Sequence, residues 1–245
     1  MSEAIRVTIW NENRHETREE RVRAIYPQGI HGAIAEGISG DFVIRTATMD
    51  EPEQGLPEDV LDATDVLVWW GHIGHRDLSE ELADRVAARV RQGMGLIALH
   101  SSHYSKPFKR LMGTSCSLLY RDVAEKERLW VTAPAHPIVA GIGPYFELPH
   151  EEMYGEFFDI PSPDEVVLTG WFEGGNVFRS GCTFTRGMGK IFYFQPGHQL
   201  YPTYYDSNVR RVISNAINWA APVRRPALQF GKSVPALEPL SVEGE

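Results

Sequence analysis

Five of the nine histidines stand just beyond short apolar runs: His72 and His75 in residues 69–75 (WWGHIGH), His100 and His103 in residues 99–103 (LHSSH), and His198 in residues 194–198 (FQPGH). Near neutral pH an imidazole can accept or donate a proton, and a neutral one can bind a borderline metal ion. One histidine in such a place is ordinarily a structural or solvated group. Five at matching positions form a pattern. Glu151 and Glu152 lie in residues 150–156 (HEEMYGE), among aromatic and apolar neighbours instead of in a charge run. A carboxylate beside imidazoles can orient them, act as a base or complete a ligand set.

Two kinds of chemistry follow. Acid–base work is expected of His100, Glu151 and His198. A divalent cation such as Zn²⁺ is expected on His72, His103, Glu152 and His198, since such ions take imidazoles plus a carboxylate and leave one position open. His75 could supply a second ligand from the His72 loop, with His100 in reserve. Glu151, Asn11 and Asn13 are candidates to accept from the outer ring nitrogens. No two of these ligands share a helical turn, so the spacing is less specific than His-Glu-x-x-His. A metal-free proton-relay pocket is the alternative. His136, followed by Pro137, reads as a structural turn residue.

Other chemistries are disfavoured. A nucleophile elbow needs Ser or Cys on a sharp strand-to-helix turn, and His100 stands there instead. Cys116 follows the Met112-Gly113 break and Cys182 lies inside a hairpin, so neither thiol occupies such a turn. Neither a Gly-x-Gly-x-x-Gly nor a Walker phosphate loop occurs.

The elements that must position these groups can be read from periodicity. Residues 5–10 (IRVTIW), 41–48 (DFVIRTAT), 65–70 (DVLVWW) and 95–100 (GLIALH) are expected strands. Between the last two, Leu82, Val86 and Val90 recur every four residues, which predicts a helix over 78–92. Asp77 with Glu80 resembles a capping box, and Gly93 suits the helix exit. Ile30, Ile34 and Ile38 mark another helix, separated by Pro27 from a charged 14–23 segment. This alternation indicates parallel βαβ units, whose ligands bind beyond the carboxyl ends of the strands. Shorter strands are expected at 129–132, 166–171, 177–185 and 190–195, extending the sheet edge and forming a hairpin cover, followed by a closing helix over 209–220. Residues 1–222 are expected to form one α/β domain and 223–245 a Pro-containing tail. Leu228, Phe230, Val234, Leu237 and Leu240 in that tail suggest burial on a second copy, hence a homo-oligomer.

Composition sets the outer bounds. The chain has 245 residues, 42% hydrophobic and 23% charged, as expected of a globular protein. A net charge of −9 without a Lys/Arg block argues against nucleic acid as a partner. No apolar run approaches the ~20 residues that span a bilayer, so no membrane association is expected. Residues 1–4 carry no secretion-signal pattern, and two cysteines make no disulfide framework; a cytoplasmic location with reduced thiols is expected.

The blocks Trp70-Gly71-His72, Leu99-His100-Ser101-Ser102-His103, His136-Pro137-Ile138, Glu152-Met153-Tyr154-Gly155-Glu156 and Gly197-His198 resemble the trehalose-utilisation (ThuA-like) family over residues 5–221. The resemblance implies a class I glutamine amidotransferase-like fold, a flavodoxin-like three-layer sandwich with a mostly parallel sheet. It puts His100 where the amidotransferases carry their catalytic Cys and His198 at the partner histidine. Glutamine hydrolysis through a thioester is then not available. The resemblance also implies a link to sugar metabolism. A carbohydrate-catabolism enzyme would act on a sugar or keto-sugar by isomerisation, elimination or hydrolysis. Trp70, His75, Tyr104, Lys106 and Tyr154 would bind the substrate, aromatic faces suiting the apolar faces of sugar rings. The competing reading is a non-catalytic sugar-binding or regulatory module that kept the fold without the nucleophile.

Overall fold

The computed structural model describes residues 4–223 and 233–240. Nine strands form one sheet: β1 (Ile5–Asn11), β2 (Phe42–Thr48), β3 (Val66–Trp70), β4 (Gly95–Leu99), β5 (Leu119–Val131), β6 (Tyr145–Gly155), β7 (Glu165–Phe172), β8 (Val177–Arg186) and β9 (Gly189–Phe194). The helices are α1 (Arg14–Arg18), α2 (Glu20–Ile25), α3 (Gly29–Gly37), α4 (Glu58–Asp62), α5 (Glu80–Arg91), α6 (Lys106–Met112) and α7 (Ser207–Ala220).

Strand order is β2-β1-β3-β4-β9-β8-β7-β5-β6. The pairings from β2 through β9 are parallel, and those from β9 to β6 antiparallel, so the sheet is mixed. The division has a local cause. Helical crossovers separate the early strands, which permits parallel pairing. Residues 187–188 and 173–176 join β8 to β9 and β7 to β8 as hairpins, which enforces antiparallel pairing.

Strands β3 and β4 are buried at every residue, as a parallel sheet covered on both faces requires. Alternate side chains divide between two cores: Leu67 and Trp69 pack with Leu82, Val86 and Phe108, while Val66, Val68 and Trp70 pack with Ile30, Ile34, Val212 and Ile217. Helices α5 and α6 therefore cover one face, and α3 and α7 the other. The α5 cap differs from the expected Asp77/Glu80 box. Ser79 is the N-cap, its hydroxyl accepting from the Leu82 amide at 3.0 Å. Asp206 caps α7 by accepting from the amides of Asn208 and Val209.

Two further features bear on the site. The charged 14–23 segment folds into α1 and α2 and buries His15 and Glu16. Residues 150–155 form the end of β6, a strand the periodicity did not mark. Among the described residues, no helix is long and apolar enough to cross a membrane. Leu228 and Phe230 lie outside the described residues, while Val234, Leu237 and Leu240 are exposed.

Candidate active site

The site forms where β1, β3, β4 and β9 end together. His100 is the first residue past β4 and has a φ of +50°. That left-handed conformation is uncommon for a residue with a side chain and marks a tight turn held by its surroundings. Ser102 supplies part of that hold: its hydroxyl donates to the Trp69 carbonyl at 2.9 Å and accepts from the Gly71 amide at 3.1 Å. The β3 and β4 exits are thereby tied together.

The imidazole rings of His72, His100 and His198 stand 5.4–5.9 Å apart, centre to centre. With Glu152 they form a group whose candidate ligand atoms all lie within 4.8 Å of one another. Oε2 of Glu152 is 3.1 Å from Nε2 of His100 and 4.0 Å from Nε2 of His198. That oxygen is buried and has no hydrogen-bond partner among the described residues. A buried carboxylate oxygen is costly without a cationic partner, a need that a protonated His100 or a bound cation would meet.

Burial lowers the basicity of most of these rings, and neighbouring imidazoles add to the effect. His72 is pushed down to about 2 and His198 to about 4. His100 moves the other way: burial alone would lower it, but the ion pair with Glu152 outweighs burial and raises it. His100 Nδ1 donates to the Gln195 carbonyl at 2.9 Å. Its ring stacks on Tyr154, whose hydroxyl lies 3.3 Å from Nε2 and 2.8 Å from the Ser101 hydroxyl.

His72, Glu152, His198 and Tyr154 line a cavity of about 700 Å³, with His100 fully buried behind them. Its further wall holds His75, His103, Tyr104, Ser117 and Tyr120. His103 donates through Nδ1 to the Cys116 carbonyl at 2.7 Å, and burial pushes it down to about 3. It lines the cavity but stands outside the four-residue group, where His100 takes the place the sequence reading gave to His103. His75 also lines the cavity, pushed down to about 4 by burial and with a buried Nε2 lacking a partner.

Three expected site residues are used differently. Glu151 and Glu152 are consecutive on a strand, so their side chains leave opposite faces. Glu152 faces the cavity; Glu151 is fully buried behind it, accepting from the amides of Gly197 and His198 and from the Thr203 hydroxyl. It holds the loop that carries His198. Trp70 is likewise fully buried, its indole N–H donating to the Gly197 carbonyl at 3.0 Å. Lys106 is spent on the Leu78 and Arg76 carbonyls and on Glu80, away from the cavity wall. Tyr154, Tyr104 and His75 do line the cavity. Gly197 has a φ of +130°, and a Cβ there would fall 2.0 Å from the Tyr204 hydroxyl oxygen. The turn that delivers His198 therefore requires glycine.

The expected outer partners also change. Asn11 bonds Glu16 and His31, while Asn13 donates its amide to Asn11 and accepts from the Thr17 hydroxyl at its carbonyl. His15 instead meets His72, Nε2 to Nδ1 at 2.8 Å, while its own Nδ1 contacts Glu19 at 2.5 Å. Glu12 accepts from the amides of Ile73 and Gly74, both at 2.8 Å, and fixes the His72–His75 loop. Both residues were legible in principle. Residues 11–15 (NENRH) leave β1 as the other histidine blocks leave β3, β4 and β9.

Neither thiol reaches this chemistry. Burial raises Cys116 and pushes Cys182 up to about 12. A family model described as ThuA, trehalose utilisation, matches residues 6–220. The chain belongs to the ThuA family. Two solved ThuA-like proteins share the fold. One from Bacteroides uniformis has a TM-score of 0.63 at 16% identity, over 89% of this chain and 93% of that one. One from Parabacteroides merdae has a TM-score of 0.64 at 15% identity, over 92% and 93%. A cytoplasmic protein of Salmonella typhimurium has a TM-score of 0.54 at 13% identity, over 89% of this chain and all of that one. No curated protein sequence is significantly similar to this ThuA chain.

Proposed function

We propose that this ThuA protein is a carbohydrate-catabolism enzyme that acts on a sugar or keto-sugar by His/Glu acid–base chemistry, assisted by a divalent cation such as Zn²⁺. The observation that carries the reading is the convergence of His72, His100, Glu152 and His198 within 4.8 Å of one another, with His72, Glu152 and His198 lining a cavity of about 700 Å³. Gathering three imidazoles and a carboxylate, with His100, His198 and Glu152 buried and His72 half-buried, costs solvation energy that no packing requirement explains. A bound cation would polarise a substrate carbonyl or hydroxyl. The side chains supply the rest: His198 lines the cavity as the acid–base group, and Tyr154 and Ser101 offer hydroxyls to substrate oxygens. Tyr104 and Tyr120 line the same cavity, and aromatic rings suit the apolar faces of a sugar.

Two structural readings accompany this one. The order β2-β1-β3-β4-β9, with helices on both faces, supports a flavodoxin-like three-layer core of class I glutamine amidotransferase-like type, within a single domain over 1–222. The exposed Val234, Leu237 and Leu240 support a homo-oligomer in which the tail lies on a partner. The membership in ThuA and the absence of a spanning helix among the described residues are consistent with a cytoplasmic protein.

The test is solvent exchange. The Zn²⁺-loaded protein is incubated in D₂O with 3-keto and 2-keto sugars, and deuterium at the carbon beside the carbonyl is followed by NMR. Exchange or conversion that is lost in His198→Gln supports the enzyme. Sugar binding without any exchange or conversion favours the non-catalytic module.

A further inference from the structure

The three histidines of the cluster do not present the same kind of nitrogen to its centre, and the difference can be followed through their outer hydrogen bonds. A neutral imidazole carries one proton, so the partner of one ring nitrogen fixes what the other offers. The Glu19 carboxylate accepts from His15 Nδ1, which leaves His15 Nε2 a lone pair. His72 must then donate its Nδ1 proton to His15 across 2.8 Å, and its Nε2 turns a lone pair to the cavity. His100 donates its Nδ1 proton to the Gln195 carbonyl, so its Nε2 also offers a lone pair once no proton is held there. His198 is opposite. Its Nδ1 accepts from the Leu200 amide at 3.4 Å, and an amide can only donate. The proton of neutral His198 therefore sits on Nε2, which points toward Glu152 and, at 3.9 Å, Asp122.

Resting on the metal reading above, we propose that His72, His100 and Glu152 alone bind the cation, and that His198 stays off it as a hydrogen-bond donor to a substrate oxygen. Two imidazoles and one carboxylate form a recurring ligand set that leaves positions open for substrate. A fourth protein ligand would fill one of those positions. Glu151 supports the division. By accepting from the Gly197 and His198 amides, it fixes the loop in which Leu200 reaches back to the ring. Asp122 is partly exposed, accepts from the Tyr201 hydroxyl, and faces the same Nε2. An N–H aimed between Asp122 and Glu152 is placed to meet an oxygen of a substrate lying over the cation.

The experiment compares Zn²⁺ affinity by chelator competition in wild type, His72→Gln, His100→Gln and His198→Gln. It adds long-range ¹H–¹⁵N spectra of the imidazoles in the Zn²⁺-loaded wild-type protein. Expected is a loss of at least ~100-fold for His72→Gln and His100→Gln but less than ~3-fold for His198→Gln, on the scale by which ligands exceed outer partners. The spectra should show His198 protonated at Nε2 and unshifted by the metal. Loss of Zn²⁺ in His198→Gln equal to that in His72→Gln, or a metal-shifted His198 Nε2 in wild type, overturns the assignment. Because the spectra are taken on the wild type, a variant that fails to fold does not blunt the test. Wild-type protein that binds no Zn²⁺ overturns the metal reading itself, and this assignment with it.

Discussion

Nε2 of His15 lies 2.8 Å from Nδ1 of His72, so a residue at the exit of β1 sets which nitrogen a residue at the exit of β3 turns to the cavity. Outer partners of this kind fix ring orientation and ligand basicity. His15→Ala should weaken Zn²⁺ binding by ~10–100-fold with the fold intact. Chelator competition together with circular dichroism checks this. Unchanged affinity would mean that the contact only packs the two rings.

Glu151 provides a second prediction. It receives two amides and a hydroxyl in a fully buried position, so Glu151→Ala strands three donors and should cost about 3 kcal/mol in urea unfolding. Its ionisation gives a sign. Burial holds its folded pKa up at about 7, above the unfolded carboxylate. Its contribution is fully present below the unfolded pKa and is lost as pH rises to about 7. Between pH 4.5 and 7, wild type should lose on the order of 3 kcal/mol relative to Glu151→Gln. A pH-independent difference between the two would contradict the assignment.

His75 runs in the opposite direction. Burial holds it down at about 4, so the unfolded chain takes up a proton that the folded one refuses. Stability is full above the unfolded pKa and is lost as pH falls through the folded value. From pH 6.5 to 4, wild type should lose roughly 3 kcal/mol relative to His75→Gln. Parallel acid-unfolding curves for the two proteins would show that the ring is solvated.

Removal of residues 224–245 should convert a dimer to a monomer, read by light scattering. Val234, Leu237 and Leu240 are exposed within one chain, and a second copy is the cover proposed for them. A truncated protein of unchanged size would remove the tail from any interface.

Much of the scaffold was legible because it rests on local periodicity. The fully apolar β3 and β4 and the four-residue spacing of Leu82, Val86 and Val90 led to strands and a helix within two residues of those observed. The histidine cluster followed from topology, since strand exits in a parallel sheet share one edge. What sequence did not reveal depended on orientation. Glu151 and Glu152 could be told apart only once β6 was known to be a strand, and its long pairing with β5 is non-local. Lys106 looked available because its partners, the Leu78 and Arg76 carbonyls, lie some thirty residues earlier in the chain. His15 was hidden in a charged segment, although it leaves β1 as His72 leaves β3.

Metal analysis of the protein purified without chelators tests the central claim most directly. The account predicts one divalent ion per chain by inductively coupled plasma mass spectrometry, retained by His103→Gln and lost in His72→Gln and Glu152→Gln. Wild-type protein with no stoichiometric metal, or loss of the ion in His103→Gln with retention in His72→Gln, would contradict it.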